Sequence, residues 1–240
     1  LGEEAISTSL IAAAIGLALV ILFMIFAYRV PGVVAGIALL AYTSLVLITL
    51  NAFDITLTLP GVAGIILGIG MAVDANVIIY ARIREEIAAG ISVRSSIKSG
   101  FQKAFSAIFD GNITTLIAAF VLMWLGSGTV KGFAYTLAIG IIFSMFTALV
   151  VSRILMNALY AVGVQDEKYY GRAKERKTID FLGKRKIFFI ISIVVILCVP
   201  VGMFAFHATT GKVLNYGLDF QGGTSTNVTF NEDLSIDEID

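Results

Sequence analysis

Six stretches of this chain are long and apolar enough to cross a lipid bilayer, and no other feature constrains its fold so strongly: roughly Ile6–Tyr28, Gly32–Ala52, Leu59–Ala81, Ala104–Leu125, Lys131–Tyr160 and Ile187–Phe206. A spanning helix needs about 20 mostly apolar residues. Hydrocarbon offers no water to backbone N–H and C=O groups, so a crossing segment is either a helix or a strand of a closed barrel. The runs lack the alternating hydrophobicity, about ten residues long, that marks barrel strands. Helices remain. With 58% hydrophobic and 14% charged residues among 240, a water-soluble fold could not hide its apolar side chains. The expected fold class is an all-α polytopic membrane protein.

The 17 basic and 17 acidic residues cancel, so bulk charge points to no nucleic-acid partner. Their placement says more. With Leu1 outside, six crossings put Arg29, Arg82, Arg84, Arg94, Lys98, Lys103, Arg153 and the eight basic residues from Lys168 to Lys186 on the inner side, leaving Lys131 and Lys212 outside. That is a strong positive-inside bias, and it places both ends of the chain outside the cytoplasm. The single cysteine, Cys198, lies within the last apolar run and reads as a packing residue. The chain opens on Leu1 without a signal-peptide pattern, and its last residues read as the start of an unfinished element, so further sequence is expected at both ends.

Tyr28-Arg29-Val30-Pro31-Gly32 predicts a tight inner turn, with Pro31 where a helix can begin without loss of a hydrogen bond. Asn51 to Thr58 predicts a small outer loop, and Pro60 opens the third run. Within that run Gly64 and Gly68 stand four apart on one face, the small-xxx-small spacing that lets another helix approach closely. Between Arg82 and Lys103 the chain turns polar, yet Val93, Ile97, Phe101, Ala104, Phe105 and Ile108 keep helical spacing. This predicts an amphipathic helix along the cytoplasmic surface that leads into the fourth span. Residues 163–186 form a basic linker between two modules. Beyond the sixth run, Asn227 to Phe230 alternates like a strand, and Ser235 with Glu238 makes a capping box, so residues 210–240 read as the start of a small extracytoplasmic α/β domain, cut short. Asn227-Val228-Thr229 matches the glycosylation pattern, a three-residue coincidence.

Two carboxylates stand inside apolar runs: Asp74 and Asp110. An aspartate at the centre of a spanning helix costs about 2.5–3.5 kcal/mol on insertion scales, so each calls for a reason. From the helical rise, each lies about 10 Å in from the cytoplasmic edge. The two runs share one inner loop and are expected to be neighbours. Asp74 and Asp110 would then gather with the amides and hydroxyls of Asn76, Asn112, Thr114 and Thr115 at one level. Such a cluster suits a relay for H+ or Na+: a desolvated carboxylate takes up the ion from one side and releases it when helix movement opens the other. The bland reading is a neutral aspartic acid hydrogen-bonded to a neighbouring helix. His207, Trp124 and Tyr160 fall near span ends, where such residues are ordinary. The sequence has no Walker loop, metal-ligand spacing or nucleophile-plus-base arrangement, so neither enzyme chemistry nor a bound cofactor or metal is expected.

Several ordered motifs resemble the SecD family: Thr58 to Leu67, Val73-Asp74-Ala75-Asn76-Val77, Arg82 to Glu86, Asp110 to Thr115, Lys131-Gly132-Phe133-Ala134 and Ser152-Arg153. Asp180-Phe181, Lys184-Arg185 and Gly217-Leu218-Asp219-Phe220-Gln221-Gly222-Gly223-Thr224 resemble the opening of SecF. Together they are similar to the fused SecDF family of the RND superfamily. The resemblance implies a SecD-like membrane region over 1–162, with five helices at about 6–28, 32–52, 59–81, 104–125 and 131–160. It further implies a cytoplasmic linker at 163–186, a first SecF-like helix at 187–209 and the start of a SecF-like outer domain at 210–240. It implies an accessory subunit of the Sec translocase that uses the proton or sodium gradient to promote late steps of preprotein export across the bacterial cytoplasmic membrane. Its partners would be the SecYEG translocon, preprotein clients and membrane lipid, with YajC and YidC as further candidates. Asp74 would be the relay carboxylate of the SecD half, and the family's further relay acid and arginine belong to SecF spans outside this chain. Two other readings stay open. One is an RND-type exporter of lipid or small hydrophobic molecules; the other is a translocon scaffold in which Asp74 is structural.

Overall fold

The computed structural model describes residues 2–171, 182–211, 213–214, 216, 220 and 222. The chain divides into two compact units, Leu1–Glu175 and Arg176–Asp240. The first unit holds α1 (Gly2–Tyr28), α2 (Val30–Ala52), α3 (Leu59–Ala88), α4 (Val93–Leu125), α5 (Gly128–Phe146), a π-helical turn (Thr147–Val151) and α6 (Ser152–Ala161). The second holds α7 (Arg185–Thr210), which carries Pro200 in its interior. Among the described residues six helices have the length and apolarity to cross a membrane; α5, the π turn and α6 count as one. The expected strand at 227–230 and capping box at Ser235 lie outside the described residues.

Local chemistry sets the helix ends. Pro31 stands in the first turn of α2, where its missing N–H would have no partner anyway. Arg29 makes the turn from α1 at φ 57°, a region that disfavours side chains, and its guanidinium donates to the Lys168 carbonyl at 2.6 Å. Thr58 caps α3 by accepting the Gly61 N–H at 3.1 Å, satisfying a donor the helix cannot. At the other end the structure departs from the sequence expectation. The polar stretch after Arg82 is not a separate surface helix: α3 continues to Ala88, and α4 runs unbroken from Val93. The physical reason is that residues 82–88 contain good helix formers and no breaker. The turn falls instead at Gly90, whose φ of +84° suits glycine. The helical spacing of Val93, Ile97 and Phe101 is satisfied against α3, in one buried cluster with Ile83 and Ile87.

Helix α3 is the hub, packed on α1, α2, α4 and α5. Lipid tails are as apolar as leucine, so helices associate in a bilayer through close packing rather than through burial from water. Gly64 and Gly68 supply the closeness. A Cβ at Gly64 would collide with the Thr136 side chain of α5, and one at Gly68 with the Tyr42 hydroxyl of α2 while standing 3.7 Å from the Gly140 Cα. Near the α3–α4 turn Gly100 of α4 plays the same part against Ile79 and Ile83. Beyond α6 the chain turns back onto the bundle, where Tyr170 is fully buried. Its hydroxyl donates to the Val164 carbonyl at 2.7 Å, and burial pushes its pKa above the ordinary tyrosine value.

Candidate functional site

Asp74 stands at the midpoint of α3, and Asp110 near the midpoint of α4. At 1.5 Å per residue these helices of 30 and 33 residues are about 45 and 50 Å long, so they exceed the roughly 30 Å of hydrocarbon and keep both carboxylates within it. Between them lies a cavity of about 190 Å³. From α3 it is lined by Met71, Asp74, Ala75 and Ile78, and from α4 by Ala107, Ile108, Gly111, Asn112 and Thr115. Spacings of three and four along each helix make these two facing stripes. Gly111 leaves open the space that a side chain would fill, since a Cβ there would meet nothing within 4 Å.

The structure therefore brings together Asp74, Asn112 and Thr115. Asn112 is half-buried and donates from Nδ2 to the Ile108 carbonyl at 2.7 Å. Thr115 donates its hydroxyl to the Gly111 carbonyl at 3.2 Å. Both keep acceptor oxygens for a proton donor or a cation. Asp74 is exposed on the lateral face of the bundle. Within lipid a carboxylate so placed needs cover from protein or a path to water.

The remaining members of the expected cluster stand apart. Asp110 is exposed and is not among the residues lining the cavity. Its carboxylate accepts from the Ser106 hydroxyl at 3.1 Å. Thr114 donates to the Asp110 backbone carbonyl at 2.9 Å. Asn76 follows Asp74 by two residues, which rotates it about 200° around the helix, into the bundle rather than toward the cavity. It is 1% exposed, donates to the Ala72 carbonyl at 3.0 Å, and accepts from Tyr80 at 3.3 Å and from Ser152 at 2.7 Å. Ser152 follows the π-helical turn Thr147–Val151, a register defect of the kind found often at functional sites.

Sequence reasoning missed three partners: Ser106, Tyr80 and Ser152. The signal for Ser152 was present, because Ser144, Thr147 and Ser152 are polar interruptions of an apolar run. Among the described residues no group of three or more His, Cys, Asp or Glu is placed to hold a metal ion.

Comparison with known proteins gives the chain a family. The family described as protein export membrane protein SecD/SecF, C-terminal, matches residues 1–161, and the SecD/SecF GG motif matches residues 208–233. The protein translocase subunit SecD of Acidaminococcus fermentans is 55% identical over 159 residues, covering 66% of this chain and 38% of that protein. The protein translocase subunit SecDF of Bacillus subtilis is 39% identical, covering 100% of this chain and 34% of that protein. The crystal structure of SecDF, a translocon-associated membrane protein from Thermus thermophilus, superposes with a TM-score of 0.80 at 35% identity, covering 93% of this chain and 30% of that one. The chain thus spans about a third of the length of the relatives it matches.

Proposed function

The chain belongs to the SecD/SecF C-terminal family of multi-pass membrane proteins, and from that premise we propose that it is the part of a SecDF-type subunit that couples an ion gradient to preprotein export through the Sec translocon. The observation that carries this reading is the cavity between α3 and α4 in which Asp74 faces Asn112 and Thr115. Among the residues lining that space Asp74 alone carries an ionisable side chain. Neutralising it by a proton, or screening it with Na+, removes the cost of a charge in hydrocarbon; releasing the ion restores that cost and favours whatever helix arrangement gives the carboxylate water or a partner. Each elementary charge moved down 100 mV supplies about 2.3 kcal/mol, enough for a few ions to drive a conformational step.

In this reading Asp74 is the relay group, with Asn112 and Thr115 as its polar wall. Asp110 and Ser106 form a secondary pair, with Thr114 bonded to the backbone there. Asn76 is a positioning residue that ties α3 to α6 through Ser152. The outward face of Asp74 would be covered by further spans of the full protein. The two family matches, at 1–161 and 208–233, support a SecD-like region over 1–162, a cytoplasmic linker at 163–186, a first SecF-like helix at 187–209 and the start of an outer domain from 210. The distribution of basic residues supports both ends lying outside the cytoplasm. SecYEG and preprotein clients are the partners this implies, with YajC and YidC as further candidates.

The test compares preprotein translocation into inverted membrane vesicles carrying the full-length protein or its Asp74→Asn variant at matched expression, with and without an ion gradient. The variant should insert normally and lose the gradient-dependent part of export. Unchanged export would overturn the relay and leave Asp74 as a structural residue of a translocon scaffold.

A further inference from the structure

A second cavity, of about 270 Å³, opens between the inner end of α4 and α6, and it is lined by Arg94, Ser95, Ile97 and Lys98 from the one and by Arg153 and Asn157 from the other. Three of these six residues are cationic and none is acidic. Among the described residues no salt bridge engages Arg94, Lys98 or Arg153, and the inner-end carboxylates of α3 are taken: Glu85 pairs with Arg82, and Glu86 with Lys103. Three like charges around one small space repel one another wherever the dielectric is below that of water. An anion seated between the two helices would relieve that repulsion.

The surroundings specify the anion. Toward the membrane from Lys98, Phe105 and Phe109 lie seven and eleven residues along α4, hence on its face. They are exposed, and their rings stack at 5.8 Å. Toward the membrane from Arg153, Val150 and Phe146 are also exposed. Cationic side chains that share a small cavity and stand at the end of exposed apolar strips match an amphiphile with a phosphate head and acyl tails. A free phosphate would satisfy only the first half of that description.

We propose that this cavity binds the headgroup phosphate of an anionic phospholipid, with its acyl chains along the Phe105–Phe109 and Phe146–Val150 surfaces. The lipid bridges α4 to α6 at Arg153, the residue next to Ser152, and so steadies the helix segment that holds Asn76. That it comes from the cytoplasmic leaflet rests on the orientation read from the basic residues. Lipid retention is measured without any export assay, so its failure and failure of the relay reading are told apart.

The experiment takes the full-length protein in mild detergent, equilibrates it with mixed phosphatidylglycerol and phosphatidylcholine, and counts retained lipids by native mass spectrometry. The wild type should retain phosphatidylglycerol in preference to phosphatidylcholine. Lys98→Gln and Arg153→Gln should each lower that retention roughly fivefold, the effect of one basic group at an anionic surface. Arg153→Lys should keep most of it, and Lys186→Gln, which removes the same charge from α7, should change nothing. Lys98 is exposed, so Lys98→Gln carries the test even if Arg153→Gln fails to insert. Equal retention by the wild type and Lys98→Gln overturns the site. So does an equal loss in Lys186→Gln, which would mean diffuse surface charge, and so does full displacement of the lipid by millimolar inorganic phosphate, which would make the ligand a soluble anion.

Discussion

Replacing Gly68 by alanine would place a methyl group where the Tyr42 hydroxyl now lies. The next neighbours of that methyl are Tyr42 Cζ at 3.3 Å and Gly140 Cα at 3.7 Å, distances that need little adjustment. The collision is therefore with one oxygen atom. Overpacking of this kind costs about 1–3 kcal/mol. The same oxygen is buried and makes no hydrogen bond among the described residues, and an unsatisfied buried hydroxyl carries its own penalty of about 1–3 kcal/mol. Tyr42→Phe should thus be neutral or stabilising by itself, and should absorb most of the damage done by Gly68→Ala. The double-mutant cycle should give a coupling within the 0.5–3 kcal/mol typical of touching residues, favouring the pair. Reversible unfolding in mixed micelles, followed by far-UV circular dichroism, reads each corner of the cycle. A double variant no more stable than Gly68→Ala would refute the identity of the colliding atom. A Tyr42→Phe variant destabilised by more than about 1 kcal/mol would show that the hydroxyl has a partner.

Other expectations follow from single positions. Gly111→Ala meets no neighbour within 4 Å, so it should raise unfolding stability by about 0.5–1 kcal/mol; by narrowing the space beside Asp74 it should also reduce gradient-driven export in the vesicle assay, and a gain in both would count against the cavity's role. Gly90→Ala also meets open space, but its φ is +84°, so it should cost about 1 kcal/mol or more in the same micellar unfolding measurement. Thr58→Ala removes the cap on the Gly61 N–H and should cost about 1 kcal/mol, whereas Thr58→Ser should keep most of the stability.

Much of the bundle could be read from residue order because bilayer thickness is an external ruler. A run of about 20 apolar residues has few ways to satisfy its backbone in lipid, so the six crossings, the turn at Arg29–Pro31 and the start of α3 at Thr58–Pro60 follow from local chemistry. The expected span end at Ala81 and the end of α3 at Ala88 differ for a related reason. Polarity marks where a chain leaves hydrocarbon, not where its helix ends, and α3 runs on past the polar switch to the glycine that can adopt positive φ. The π turn at Thr147–Val151 left no comparable mark: the run around it lacks proline and glycine from Ile141 to Val162, and one extra residue in a turn has no compositional signature.

For the candidate site the division is sharper. Sequence alone determined that Asp74 and Asp110 sit within long apolar runs and that α3 and α4 are joined by a short turn, because transfer cost and loop length depend only on local composition and connectivity. Which polar groups share a cavity was decided by helix rotation and crossing. Those depend on where Gly64, Gly68 and Gly100 let backbones approach and on how Ile83, Val93 and Ile97 interlock. That packing brings Asn112 and Thr115 to Asp74, leaves Asp110 outside with Ser106, and carries Asn76 to Ser152 on the far side of α3. A rotation of 100° per residue separates neighbours in sequence onto different faces, and only the tertiary arrangement says what each face meets.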